Sequence, residues 1–360
     1  MILLTASCKK SLEPVNLETA PGFSDNAKKS SQNELVSLES NFSRGFGINN
    51  SGAMTGSARN SDGKSYAFLL KNNDLWFSTE EVSPNGLPEI RFSINDPGDI
   101  AGHKLVPGGI IPVVWKNGQA NELEPLPGQQ FAEVYDINNA GLMVGESLNG
   151  NFVSPTTMRA TLFSIEGDPI DLGTLGGAKA SAAGINEDGD IVGVADNASG
   201  QAHAFLYKDG VMQDLGTLGG TASNANAINN NDEIVGRSLL ANGAIRAFLY
   251  KEGIMYDLGT LGGVARVAFD INDKGEVVGF ARVANGQAHA FLYKDGVMHD
   301  LGTLGGIDAR GSGHARQPAV VGGTQPGRCA LSDRYAAAPI SGGAAQFLAA
   351  FDAQPAGLHR

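Results

Sequence analysis

Apolar positions in this chain come in short runs separated by turn residues, and the whole pattern returns about every 43 residues. Ile followed by Asn marks the return at Ile48, Ile94, Ile137, Ile185, Ile228 and Ile271, at intervals of 46, 43, 48, 43 and 43 residues. The clearest unit runs from Ser223 through NANAINNNDEIVGRSLLANGAIRAFLYKEGIMYDLGTLGG to Gly263. Its punctuation predicts four strands. A short first strand ends on Ile-Asn, as over 267–272, and a turn of the Asp273-Lys274-Gly275 type follows, where Gly supplies the positive φ of a tight hairpin. The β-branched run 276–279 is the second strand, and after a loop through Asn285-Gly286 the third is 289–293. Lys294-Asp295-Gly296 turns the chain into a fourth strand over 297–304, which Gly305-Gly306 ends.

Strings such as Ala-Phe-Leu-Tyr and Ile-Val-Gly are apolar at consecutive positions, so each small sheet is expected to be buried on both faces. A sandwich strand with one wet face would alternate more cleanly, and the coils of an open β-solenoid are shorter and more regular. The expected fold is therefore all-β, a β-propeller of four-stranded antiparallel blades. Residues 34–38 lie 14 before Ile48, as Asp171, Asp214 and Asp257 lie 14 before the next Ile-Asn, and read as an orphan fourth strand. Val320-Val321-Gly322 follows Val277-Val278-Gly279 by 43 residues and reads as part of a further unit. Pieces of one blade at the two ends predict seven blades, with six as the alternative, and a ring closed by the N-terminal strand.

Composition agrees with many strands and turns: 42% hydrophobic, 18% charged, and 49 glycines in 360 residues. A net charge of −12, with no cluster of Lys and Arg, excludes a nucleic-acid partner. Cys8 and Cys329 are too far apart and too few for a disulfide framework or a CxxC metal site. The terminus MILLTAS-Cys8-Lys9-Lys10 resembles the end of a bacterial lipoprotein signal, with Thr5 where Leu is usual and without a basic leader. This reading makes 1–8 a truncated signal with Cys8 as the lipidation site, 9–32 a polar tether, and 33–306 the propeller. From Ile307 onward Lys, Glu and Asn disappear and His314-Ala315 stands where Ile-Asn belongs, so 307–360 reads as a degenerate or frame-shifted last repeat.

The strings HAFLYKDG, INDKGEVVG and DLGTLGG resemble the HAF repeat, a family of extracellular bacterial repeats named for that tripeptide. The resemblance spans about 34–306 and is strongest over 171–306; Tyr66-Ala67-Phe68, Val113-Val114-Trp115 and Arg159-Ala160-Thr161 replace His-Ala-Phe in the first three units. It implies an exported protein and implies no catalysis.

No catalytic, cofactor-binding or metal-binding set emerges. His203 and His289 recur, but Tyr66, Arg159 and Arg246 take their place elsewhere, so they read as strand residues rather than ligands. The Asn of each Ile-Asn reads as an Asx cap on its hairpin. Asn186-Glu187-Asp188-Gly189-Asp190 has the oxygen spacing of a calcium loop but lacks the distal glutamate and is not matched by its sister turns. Chemistry in a propeller needs polar residues that break the repeat, and the candidates are Glu80, Glu81, Arg91, His103, Glu133 and Arg159. The reading that follows is an exported, monomeric, non-enzymatic binding or scaffold propeller without cofactors, secreted or lipid-anchored, whose loops meet a glycan, a peptide or a surface partner. An extracytoplasmic glycan hydrolase or lyase working in the central channel, and a structural envelope protein, are the alternatives.

Overall fold

The computed structural model describes residues 23–24, 43–59, 64–71, 74–78, 92–106, 109–117, 119–151, 154–303, 309–312, 320–323, 336–338 and 346–348. No helix occurs among them. Tracing the strand pairing gives six consecutive units of four antiparallel strands. Unit 1 is Ser43–Ile48, Met54–Arg59, Ser65–Lys71 and Asp74–Ser78. Unit 2 is Ser93–Ile94, Ile100–Val106, Gly109–Lys116 and Gln119–Glu122. Unit 3 is Phe131–Ile137, Met143–Asn151, Ser154–Phe163 and Ile170–Asp171. Unit 4 is Gly176–Ile185, Ile191–Asn197, Ala202–Lys208 and Val211–Asp214. Units 5 and 6 repeat it as Gly219–Ile228, Ile234–Leu240, Ile245–Lys251, Ile254–Asp257 and as Gly262–Ile271, Val277–Val283, Ala288–Lys294, Val297–Gly302.

The first strand is longer than its sequence suggests. Gly262 pairs with Val283 and Gly219 with Leu240, so each Gly-Gly opens the next unit instead of merely releasing the chain. Every first strand that can be followed carries a bulge, between Gly45 and Gly47, Val134 and Asp136, Ala182 and Gly184, Ala225 and Ala227, and Ala268 and Asp270. The glycine of Ile-Val-Gly exists because of that bulge. A Cβ on Gly236 would sit 2.0 Å from the carbonyl oxygen of Asn224, and on Gly193 2.1 Å from that of Ser181. The hairpin before the fourth strand has Asp209 and Gly210 at φ 53° and 79°, the paired positive values of a type I′ turn.

Apolar side chains are buried on both sheet faces and form a cluster at each seam between neighbouring units. At the seam of units 4 and 5, Val192 and Ala204 pack with Ala225, Ile234 and Phe248; at that of units 5 and 6, Val235 and Ala247 pack with Ala268, Val277 and Phe291. The Phe of the HAF string is the plug, with Phe205, Phe248 and Phe291 all fully buried. Each contributes about 1.5–3 kcal/mol of burial.

Seven blades are not formed. After unit 6 the described residues hold a two-stranded sheet, Ala309–Ser312 with Val320–Gly323, which packs on the strands of unit 6. It lacks the bulge, and no third or fourth strand joins it among the described residues. The physical reason lies in the sequence, since His314-Ala315 offers neither the Ile nor the Asn that the other units use. At the other end Phe23–Ser24 adds to the outer edge of unit 1, pairing with Phe77 and Ser78. Residues 34–38, the expected closing strand, lie outside the described residues.

Candidate functional site

The six first strands converge on one cavity, lined by Ile48, Ile94, Ile137, Ile185, Ile228 and Ile271 together with Asp136 and Asp270. This is the central channel of the ring. Its volume is about 40 Å³, room for a few waters, and the six isoleucines that collar it are buried. The position before each Ile is Gly47, Ser93, Asp136, Gly184, Ala227 and Asp270, so four small residues leave space that two carboxylates enter. Asp136 ties three units together: its carboxylate accepts from Ser93 Oγ at 2.8 Å, from its neighbour Ile137 N at 2.9 Å and from Ile185 N at 3.1 Å. Asp270 accepts from Ile271 N at 2.9 Å. Periodicity alone did not single out these two; the signal was an acid where sister units carry a small residue.

The Asn of Ile-Asn does two jobs. As expected for an Asx cap, Asn186 Oδ1 accepts from Asp190 N and Asn229 Oδ1 from Asn231 N and Glu233 N, at 2.8–3.0 Å. Its Nδ2, in addition, donates to the backbone oxygen of the equivalent Asn in the next unit. The steps run Asn49 to Asn95, Asn95 to Asn138, Asn138 to Asn186, Asn186 to Asn229 and Asn229 to Asn272, at 2.9–3.3 Å. The next residue forms an outer rung, in which Asn50 N donates to Asp96, Asp96 N to Asn139, Asn139 N to Glu187, Glu187 N to Asn230 and Asn230 N to Asp273. The steps that join described residues end at unit 6, where Asn272 Nδ2 bonds Glu276 of its own turn, as Asn229 Nδ2 also bonds Glu233.

The remaining repeated charges are spent the same way. Lys208 reaches Asp190 at 2.6 Å and Asp232 of unit 5 at 2.8 Å, bonds that push its ammonium above the usual lysine range. Asp190 is thus committed to Lys208, and burial, with the neighbouring Asp232 carboxylate, holds its carboxyl above its ordinary value. Burial alone would raise Glu276, but hydrogen bonds from Lys294 and Asn272 outweigh it and bring its carboxyl down. His203 meets Asp214 at 2.8 Å and His289 meets Asp300 at 2.8 Å, while Arg159 and Arg246 fill the same slot against Asp171 and Asp257. The pairing register corrects the sequence alignment of unit 2: Val113 lies opposite Gly102 as Phe205 lies opposite Gly193, so Ile111-Pro112-Val113, not Val113-Val114-Trp115, occupies the His-Ala-Phe place.

The three repeat-breaking candidates that are described, His103, Glu133 and Arg159, face different surroundings. His103 is buried on the second strand of unit 2, two residues from Ala101, which packs against Ala132 and Val134 of unit 3. Glu133 lies directly opposite Glu146 and alternates with Ala132 and Val134, so both glutamates face unit 4 instead. Arg159 is paired with Asp171 at the rim. None of the three lines the channel. Glu80, Glu81, Arg91 and Cys8 lie outside the described residues. Among the described residues no three His, Cys, Asp or Glu side chains gather as a metal site.

No protein-family model matches the sequence, and no curated protein matches it. Solved structures do resemble the fold. The β-propeller domain of the trilobed protease from Pyrococcus furiosus, described as having an open velcro topology, is 11% identical with a TM-score of 0.51, over 71% of this chain and 81% of that one. TolB from Acinetobacter baumannii is 12% identical at a TM-score of 0.45 over 68% of this chain, which spans 62% of the TolB chain. Pyrococcus horikoshii acylaminoacyl peptidase is 14% identical at 0.48, over 78% and 51%. An identity this low speaks to the fold alone, and the likeness to the Pyrococcus furiosus propeller domain, together with the strand pairing, establishes a β-propeller of four-stranded antiparallel blades.

Proposed function

We propose that this chain is an exported, non-enzymatic binding or scaffold propeller of the HAF-repeat kind, presenting the loops of its ring to a glycan, peptide or surface partner. The observation that carries the reading is the isoleucine collar: it leaves about 40 Å³ in the channel, too little for a sugar ring or a peptide. The polar groups that repeat are meanwhile engaged in holding units together, which leaves recognition to the loops where the repeat fails. Lipid attachment at Cys8 and an extracytoplasmic location belong to the same reading. So does closure of the ring by residues 34–38 between units 6 and 1.

The competing enzyme reading draws on Asp136 and Asp270, two carboxylates entering one channel. Screening the purified chain on glycan and peptide arrays, alongside polysaccharide and ester turnover assays, separates the two. Saturable binding without turnover supports the scaffold reading; turnover lost in Asp136→Asn, Asp270→Asn, Glu133→Gln or His103→Ala overturns it.

A further inference from the structure

Arg266 is the largest fully buried side chain described, only 1% exposed. It occupies the first strand of unit 6 at a position held by Ala180 in unit 4 and Ser223 in unit 5, facing the preceding unit. In unit 5 the small residue is an effective staple: Ser223 Oγ accepts from Ala204 N at 2.8 Å and donates to Gly216 O at 2.6 Å, both in the preceding repeat. The guanidinium that replaces it has one protein partner, the carbonyl of Gly263 through Nη2. Its Nε and Nη1 are buried and have no hydrogen-bond partner, and no described carboxylate lies within ion-pair distance of it.

The surroundings add positive charge. Arg246 and Asp257 are the charges that act on Arg266; Asp257 is already engaged by Arg246 at 3.2 Å. The charges acting on Arg266 are thus one further guanidinium and one carboxylate already shared with it, whereas the seam before has His203, Asp214 and Ser223 in the same places. Burial and the neighbouring Arg246 both disfavour the charged form of Arg266, yet a guanidinium stays protonated at any ordinary pH. A buried ion without a partner costs several kcal/mol. The compensation therefore has to come from an anion, and the planar N–H fork of Arg matches the paired oxygens of an oxyanion.

We propose that the seam between units 5 and 6 binds a small oxyanion on Arg266, locking the two blades together. Asp257 is about a third exposed, so the seam opens to solvent at the rim beside it. The test compares the full chain with Arg266→Ser, which restores the residue of unit 5, and with Arg266→Lys, which keeps the charge and loses the fork. Inorganic phosphate is titrated against sodium chloride at matched ionic strength, and thermal melting is read together with titration calorimetry. Because phosphate stabilises folded proteins in general by exclusion, the reading is the difference between variants. The wild-type chain is expected to show a saturable rise in melting temperature and a one-to-one binding heat, both weaker in Arg266→Lys and absent in Arg266→Ser. Without phosphate Arg266→Ser is expected to melt higher than wild type. An equal phosphate response in wild type and Arg266→Ser, a response to chloride as large as that to phosphate, or no binding heat in the wild type would each overturn the proposal.

Discussion

At the scale of single residues, the fold depends most on places where one side chain, or its absence, is dictated by a neighbour's backbone. Gly236 is such a place, because the bulge carbonyl of Asn224 occupies the volume a Cβ needs. Gly236→Ala is expected to cost at least about 2 kcal/mol through displaced backbone and repacking, read as a lowered denaturation midpoint; an unchanged midpoint would show that the bulge relaxes freely. Glu276 offers a titration. Its folded carboxyl lies below its ordinary value of 4.5, so its bonds to Lys294 and Asn272 stabilise the fold above that pH and are lost as the pH falls through the lower folded value. The stability gap between wild type and Glu276→Gln is therefore expected to be full near neutrality and to close below about pH 4.5; melts across that range check it, and a gap that widens in acid would reverse the sign.

At the scale of elements, the four strands of each unit were legible from Gly, Asn-x-x-Gly and Asp-Gly punctuation because turn chemistry is local. Their ends were less so. Gly262 and Gly263 look like a stop signal, and only the partner strand reveals that they begin the next sheet. The role of Asn138 was half legible for the same reason: its cap on Leu142 N is local, while its donation to Asn186 O depends on a residue 48 positions away. Asn138 is fully buried. Asn138→Ala removes the cap on Leu142 N and leaves Asn186 O with the Gly189 N–H alone, and is expected to cost about 1–3 kcal/mol. Asn138→Asp keeps the cap acceptor but sets a carboxylate against a carbonyl; it is expected to be destabilised at neutral pH and to recover in acid, where the protonated carboxyl can donate. Chemical denaturation at two pH values checks this, and Asn138→Asp matching wild type at neutral pH would remove the inter-unit bond from the account. The channel acids Asp136 and Asp270 break the repeat as His103 and Glu133 do, but only the convergence of the first strands places them in the channel, while His103 and Glu133 face different seams.

At the scale of the whole molecule, the period was strong enough to specify a propeller but not its closure. Seams from unit 1 to unit 6 each carry an apolar cluster and a step of the Asn ladder. Among the described residues no step of the ladder joins Asn272 of unit 6 to Asn49 of unit 1. Counting blades from sequence failed because the count depends on the tail, where a strand-forming Val320-Val321 survives while the Ile-Asn that anchors a unit to the axis does not. Units with two complete neighbours should therefore open last. Hydrogen exchange followed by mass spectrometry is expected to show the first and second strands of units 2 to 5 as the most protected, with units 1 and 6 exchanging sooner through local opening. Leu35 stands 13 residues before Ile48, as the buried Leu215 stands before Ile228 and Leu258 before Ile271. If residues 34–38 seal the gap, Leu35→Asp removes an apolar anchor there and speeds exchange in units 1 and 6 while leaving unit 4 unchanged. Faster exchange spread evenly over all units would indicate global destabilisation instead, and no change at all would place residues 34–38 away from the ring.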